Sequence, residues 1–227
     1  MTAVDLNPYS PVDADPTLLP LLTLIEEAGG LDGVAPGMRL AEGTTVAELA
    51  EAPHTLLREL VAEHADRWNA PLHVAATLWW KGFAYWSTVP VALGWALNGT
   101  LPALTAANTV VRRLPQEPHL LLGMREPAAA TDVRSLLLDL HTPLIDALAK
   151  ATRAGRRNLW GSVAESLARP LTAYAPLLPG APDAAALLAE AGAPIAGLME
   201  PDTGRRRTCC LWVTLPGAEA CASCCLR

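Results

Sequence analysis

Apolar residues recur at helical spacing along most of this chain. The clearest case is the set of leucines at positions 136, 140, 144 and 148, which follows the 3.6-residue period and predicts a long helix over 131–154. The same period, together with Pro, Gly and capping residues, predicts further helices at 17–28, 54–68, 71–86, 90–97, 155–167 and 183–191, with a short one opening at Thr45.

A strand-like pattern is confined to the middle of the chain. Residues 108–114 and 119–125 are two largely apolar runs separated by the turn sequence Pro-Gln-Glu-Pro, which predicts a small β-hairpin. The same residues are also compatible with a helix. The predicted fold is therefore mainly α, with a single helical domain over 1–200 that carries a small β-hairpin. A short C-terminal segment over 201–227 follows it.

Composition and charge narrow the class of protein. Hydrophobic residues make up 51% of the chain, charged residues make up 18%, and the net charge is −6. This composition indicates a mildly acidic globular protein without the basic character that nucleic-acid binding requires. Residues 1–8 have neither a basic nor an apolar signal region, so a cytoplasmic location is expected.

One apolar stretch, residues 82–97, resembles a membrane span only superficially. It is sixteen residues long and contains Pro90, whereas a span needs about 20 residues. We therefore predict a buried pair of core helices and no transmembrane segment. Association with a membrane surface stays open.

The chemistry is concentrated at the end of the chain, because all five cysteines lie in the last nineteen residues. Such a cluster indicates a disulfide knot, a zinc site or an iron–sulfur cluster. In a reducing compartment, clustered cysteines are more often metal ligands than disulfides. Only Cys221 and Cys224 have typical zinc spacing, and the adjacent side chains of Cys209 and Cys210 diverge, so a two-iron cluster fits them better than a single ion.

These residues carry a resemblance to a known family. Two adjacent cysteines, ten residues and then Cys-x-x-Cys resemble the C-terminal motif of FhuF-like ferric-siderophore reductases. His141-x-Pro143 and residues 156–164 resemble, more weakly, the helical segment that precedes this motif. The resemblance implies a 2Fe–2S cluster held by Cys209, Cys210, Cys221 and Cys224. Cys225 departs from the pattern and is predicted to be a surplus thiol beside the cluster.

The same resemblance implies a function. It is the one-electron reduction of Fe(III) in a siderophore, usually of the hydroxamate class, with release of Fe(II) in the cytoplasm. The residues alone indicate only a one-electron carrier. No dinucleotide fingerprint appears, so the electrons are expected from a separate protein such as a ferredoxin. The alternatives are an iron- or redox-sensing or electron-carrying 2Fe–2S protein, and a zinc-stabilised interaction module.

Several further residues are candidates for roles around the cluster. The three consecutive arginines before the first cysteine are predicted to offset the cluster's charge, dock a donor or attract a chelate, or else to form a solvated turn. Trp160 and Arg157 are predicted to face the cluster or to pack and cap. The aromatic stretch at 79–86 is predicted to contact substrate or to fill the core. The candidates are Arg205, Arg206, Arg207, Cys225, Trp160 and Arg157 around the cluster, and Trp79, Trp80 and Lys81 for substrate.

Overall fold

The computed structural model describes residues 15–200 and 203–227; residues 1–14 and the two positions at the predicted domain boundary, 201 and 202, lie outside this range. Within it are seven α-helices, α1 to α7: Leu19–Glu27, Val46–Ala50, Thr55–Trp68, Leu72–Asn98, Val133–Thr152, Arg156–Ala173 and Ala184–Ala191. Six strands, β1 to β6, span Val34–Arg39, Thr44–Thr45, Leu101–Pro102, Thr109–Arg113, Leu120–Met124 and Ala129–Ala130. The mainly α prediction is confirmed.

Local sequence signals place most helix starts as predicted. The Thr45 hydroxyl accepts the Glu48 backbone N–H, and the Glu48 carboxylate accepts the Thr45 N–H, which completes the capping box that opens α2. At α5 the Asp132 carboxylate accepts the backbone N–H of Ser135 at 2.7 Å. These side chains satisfy N–H groups that the first turn of a helix leaves unpaired.

Helix α4 corrects the prediction of two separate helices. It runs unbroken from Leu72 to Asn98, with Pro90 inside it. A proline inside a helix removes one backbone hydrogen bond and crowds the preceding turn. Residues 87–94 are all buried, however, and full burial of each apolar side chain contributes about 1.5–3 kcal/mol. Packing on both sides of the proline therefore outweighs the local cost.

The predicted hairpin is confirmed, and it is part of a larger sheet. Strands β4 and β5 pair antiparallel with Val111 opposite Leu122, and the full strand order is β1-β5-β4-β2. Strand β1 pairs parallel to β5 and was not predicted, because Pro36 and Gly37 lie within it. A proline is tolerated here because β1 is an edge strand.

The core lies between the long helices. Helix α4 is buried along most of its length and packs against α3, α5 and α6. Trp80 and Phe83 of α4 are fully buried and stack on one another with ring centroids 5.3 Å apart. Across residues 15–200 and 203–227, helices with both the length and the apolar character needed to cross a membrane are absent.

Residues 203–227, called the C-terminal segment below, fold differently from the helical body that precedes them. Their regular structure is one 3-10 turn at Trp212–Thr214 and one bridge between Met199 and Arg206. The segment packs on α6, where Thr208 lies directly against Gly161. It therefore depends on the helical body for its position.

Candidate functional site

The C-terminal segment places the cysteines beside α6, because Ser223, which lies between Cys221 and Cys224, hydrogen-bonds to Glu165 of that helix. All five are free thiols, and Cys210 and Cys224 are buried while the other three are half-buried. Leu211 adopts a left-handed backbone conformation with φ of 63°, and its N–H donates to the Cys209 Sγ at 3.3 Å. This tight turn reverses the chain directly after the cysteine pair.

One pair of thiols already has the spacing of two ligands on one metal. The Sγ atoms of Cys210 and Cys221 lie 3.9 Å apart. Two thiolates on a tetrahedral ion with metal–sulfur bonds of about 2.3 Å are separated by roughly 3.8 Å. Among the described residues, no third His, Cys, Asp or Glu joins them in a group able to hold a single metal ion. The 3.9 Å separation fits two ligands of one metal, including one iron of a two-iron cluster, in which each iron takes two thiolates.

The environment of Cys210 favours a bound cation. Burial raises the pKa of the Cys210 thiol, and a charge on Cys221 raises it further, although Lys81 and Arg206 act in the opposite direction. A buried thiolate at Cys210 and a half-buried one at Cys221, with their sulfurs 3.9 Å apart, repel each other unless a positive charge lies between them. Iron bound to both sulfurs supplies that charge, so the donor set fits the cluster that the sequence implies.

Cys225 lies beside the other thiols. Burial raises its pKa, and so do the neighbouring thiols of Cys209 and Cys224. The prediction of a surplus thiol next to the cluster is compatible with this position.

A buried ionic network attaches the C-terminal segment to the helical body. Arg206 is only 1% exposed, and its Nη1 donates to the Glu165 Oε2 of α6 at 3.1 Å. Its Nη2 donates to the backbone oxygen of Asn158 and to the hydroxyls of Ser162 and Thr208. Both Nη atoms of the guanidinium thus have acceptors, as a buried charge requires, whereas its Nε is buried without a hydrogen-bond partner among the described residues.

Glu165 joins this network to the cysteines. Its other carboxylate oxygen accepts a hydrogen bond from the Ser223 hydroxyl, between Cys221 and Cys224, and Lys81 Nζ lies 3.6 Å from Oε2. Burial alone would raise the pKa of this carboxyl, but Lys81, Ser223 and Arg206 outweigh that effect and hold the pKa below its ordinary value. Glu165, Arg206, Ser223 and Lys81 are called the Glu165 network below.

A cavity of about 570 Å³ opens next to the cysteines. It lies between α3, α4, α6, the turn that joins β4 to β5, and the C-terminal segment. Cys221 lies in its wall, and so does Trp212, whose ring meets Trp68 edge-on at 5.2 Å. A volume of this size is in the range of small-molecule sites in proteins.

Of the three residues predicted to contact substrate, the structure places two in the cavity wall and one in the core. Trp79 and Lys81 line the cavity, whereas Trp80 faces the core, is 0% exposed and donates its indole N–H to the Leu159 oxygen at 2.8 Å. Trp80 is thus a core residue and is not available to substrate. Both tryptophans are buried, with Trp79 2% exposed, but adjacent helical positions point in different directions, so only Trp79 reaches the cavity wall.

The residues predicted to surround the cluster differ in their exposure to solvent. Arg206 is buried, so it is not a docking residue, whereas Arg207 is exposed and Arg205 is half-buried, donating to the Arg227 oxygen. Trp160 is buried against the ring of His141, and Arg157 is exposed in the first turn of α6.

Several site residues were missed from the sequence. Arg67 and Trp68 of α3, and Glu165 and Arg169 of α6, line the cavity although they are distant from the cysteines in the chain. Glu165 carried a recognisable signal, since it is a lone carboxylate on a helix whose neighbours Val163, Ala164 and Leu167 are fully buried. A buried carboxylate generally has a cationic partner.

Comparison with known proteins bears on the same residues. The sequence model of the FhuF 2Fe-2S C-terminal domain matches residues 206–226, a range that includes all five cysteines, Arg206 and Ser223. No curated protein sequence matches the chain. Because this domain binds a 2Fe–2S cluster, the match favours an iron–sulfur cluster over the zinc site that was the alternative. The C-terminal segment is therefore an FhuF-like cluster-binding region, with a 2Fe–2S cluster as its cofactor.

Proposed function

We propose that this protein is a ferric-siderophore reductase of the cytoplasm, which reduces chelated Fe(III) by one electron and thereby releases Fe(II). The observation that carries the proposal is that Cys221 lies in the wall of the 570 Å³ cavity. A chelate seated there is within short electron-transfer distance of the cysteines. The reaction makes chemical sense because oxygen chelators hold the hard Fe(III) ion far more tightly than Fe(II).

Within this proposal, Cys209, Cys210, Cys221 and Cys224 hold the cluster and Cys225 does not. Cys210 and Cys221 share one iron, as their 3.9 Å sulfur separation supports. Cys209 and Cys224 then share the other. The N–H of Leu211 donates to the Cys209 sulfur, and such hydrogen bonds are one of the means by which proteins adjust a cluster's potential.

The chain's own residues orient the reaction. When bound, the cluster supplies one electron at a time, at a potential that can lie near about −400 mV. The Glu165 network holds Ser223, and with it the flanking cysteines, against α6. Trp212 and Trp68 contact each other edge-on and line the same cavity as Cys221. The electrons come from a separate carrier such as a ferredoxin, because the sequence has no dinucleotide fingerprint.

Single Cys→Ser variants test the ligand set. Anaerobically purified wild-type protein is expected to show the visible absorption of a 2Fe–2S cluster. Each of Cys209→Ser, Cys210→Ser, Cys221→Ser and Cys224→Ser is expected to lose most of the iron or to shift its spectrum. Cys225→Ser is the matched control and is expected to keep both. Loss of the cluster in Cys225→Ser together with its retention in Cys224→Ser would reassign the fourth ligand.

Reoxidation of the reduced protein tests the activity. The cluster is reduced with dithionite, excess reductant is removed, and a ferric tris-hydroxamate is added together with a ferrous-specific colorimetric chelator. We expect the visible bands to return and one Fe(II) to be trapped per cluster. A reduced protein that stays reduced in the presence of ferric chelates would instead support a sensor. Turnover with NAD(P)H and no carrier protein would overturn the separate donor.

A further inference from the structure

The cavity beside Cys221 carries an excess of positive charge. Arg67 of α3, Lys81 of α4 and Arg169 of α6 converge on it from three helices. The protein as a whole has a net charge of −6, so a cation-lined cavity is a local exception to its surface. Clefts lined by one sign of charge concentrate ligands of the opposite sign.

The carboxylates of the cavity form no direct ion pair with Arg67 or Arg169, although the charge of Arg169 acts with Lys81 and Arg206 in lowering the pKa of Glu165. Glu165 is bound by Arg206, Lys81 and Ser223, and the Glu117 carboxylate lies 3.0 Å from the Nε2 of His119. Among the described residues, Arg67 and Arg169 have no carboxylate within ion-pair distance, and both are exposed to solvent. Two guanidinium groups are thus free to bind an anion.

The remaining wall is aromatic. Trp68, Trp79, Tyr85 and Trp212 line the cavity around the cations. Large rings of this kind provide contact area at low entropic cost and pack against flat, unsaturated groups. A ligand that matches both features is bulky, has planar donor groups and carries net negative charge.

We infer that this cavity selects ferric chelates with net negative charge over neutral ones, with Arg67 and Arg169 as the specificity-determining residues. The inference rests on the proposed function and adds the charge class of its substrate. It narrows the hydroxamate class that the sequence resemblance implies to chelates with net negative charge, because a neutral ligand leaves both guanidinium groups without a partner.

The charge change of the reaction supports the same assignment. In the step, the reduced 2Fe–2S cluster would lose one electron and the chelated Fe(III) would gain it and become Fe(II), while no bond to the chelate forms or breaks and no proton is transferred. The complex therefore becomes more negative by one charge. Cations beside it bind the product of this step more strongly than the reactant, so they make reduction of the bound chelate more favourable.

Binding of redox-inert gallium chelates tests this inference separately from turnover. The two probes are Ga(III) in a neutral tris-hydroxamate and Ga(III) in an anionic citrate-hydroxamate chelator, whose shared hydroxamate donors leave charge as the main variable. Titration calorimetry of the cluster-loaded protein at low salt is expected to give at least about tenfold tighter binding of the anionic chelate. Added salt is expected to reduce that preference.

Arginine variants test which residues cause the preference for the anionic chelate. The double variant Arg67→Gln/Arg169→Gln is expected to lose most of the preference while keeping its circular dichroism and cluster spectra. Arg112→Gln, at an exposed position of β4 outside the cavity, is the matched control and is expected to keep the preference. Equal affinity for both chelates, binding of neither, or an unchanged preference in the double variant overturns the inference. If a neutral ferric hydroxamate still reoxidises the reduced protein in that case, the proposed function stands without it.

Discussion

The helical body and the C-terminal segment are held together by different forces. In the body, α4 alone buries sixteen residues, most of them apolar, and the stabilisation is spread over many contacts. In the C-terminal segment the buried residues are few, namely Arg206, Thr208, Cys210, Leu215 and Cys224. A segment of this size cannot build an apolar core of its own.

The difference indicates where each region is vulnerable. Loss of one side chain from the body leaves many other contacts in place. The segment instead depends on the Glu165 network and on its metal ligands, so one substitution is able to detach it. This arrangement suits a redox site, because a polar attachment leaves charged groups close to the cysteines, where they influence the potential.

Glu165→Gln is the substitution expected to have the largest effect on the attachment of the C-terminal segment to the helical body. It preserves size but leaves the guanidinium of Arg206 buried without its counter-charge, which in buried pairs costs about 3–5 kcal/mol. We expect faster hydrogen exchange at residues 203–227 and faster loss of iron, while the helical circular dichroism stays close to wild type. The measurements are peptide-resolved exchange and the decay of visible absorption.

An exposed ion pair provides the control. Arg156 and Asp146 lie 3.1 Å apart, but their side chains are 62% and 51% exposed. Exposed pairs typically contribute about 0.2–1 kcal/mol, so Asp146→Asn is expected to change neither exchange in the segment nor cluster retention. Equal effects of the two substitutions would contradict the assignment of the attachment to Glu165.

The buried His141 makes a prediction about the stability of the helical body, rather than about the attachment of the C-terminal segment. Its Nε2 lies 3.1 Å from the Ser87 hydroxyl and its Nδ1 lies 2.9 Å from the Leu137 oxygen, and burial lowers its pKa to about 4. The unfolded state therefore takes up a proton as the pH falls through about 6.5, while the folded state stays neutral until about 4. This group stabilises the fold fully above pH 6.5 and loses about 3 kcal/mol of that contribution by pH 4.

The measurement is the free energy of unfolding in denaturant at several values between pH 6.5 and 4.5, for the wild type and for His141→Gln. The variant is expected to be less stable at neutral pH but to lose less stability on acidification. Any acid lability of the cluster affects both proteins and cancels in the difference. Parallel pH profiles would show that His141 does not titrate in this window.

The sequence predicted the body better than the site, for a physical reason. Helix α5 and the hairpin β4–β5 follow from local periodicity and turn residues. The continuation of α4 through Pro90 and the parallel strand β1 do not, because tertiary burial decides them. Edge strand β1, in particular, pairs with β5, and its residue Val34 lies opposite Leu122, far away in the chain.

The cysteines were found because they are adjacent in the chain, and the cavity was missed because its residues are not. Trp79 and Lys81 were candidates, yet Arg67 and Arg169 meet them only after α3 and α6 pack on α4. A residue's distance from a motif along the chain says little about its distance in space. A lone charged residue among the apolar residues of a helix, such as Glu165, is a signal by which the sequence does indicate a residue of the site.

The smallest predicted effect concerns two helical glycines, one that packs against the C-terminal segment and one that does not. A Cβ added at Gly161 of α6 would overlap the Thr208 Oγ1, whereas one added at Gly82 of α4 would meet nothing within 4 Å. Gly161→Ala therefore displaces the chain just before Cys209, at a cost of about 1–3 kcal/mol for overpacking. Gly82→Ala is the matched control and is expected to stabilise the protein by about 0.5–1 kcal/mol through helix propensity alone.

Thermal unfolding and cluster absorption separate the two outcomes of this pair. Gly161→Ala is expected to weaken cluster retention by displacing Thr208 and the segment that follows it, with little change in helical content. Gly82→Ala is expected to raise the melting temperature and to leave the cluster unaffected. If Gly161→Ala also stabilised the protein and retained its cluster, the close approach of α6 to the C-terminal segment would not be what positions the cysteines. The Glu165 network would then be left as the attachment between the two regions.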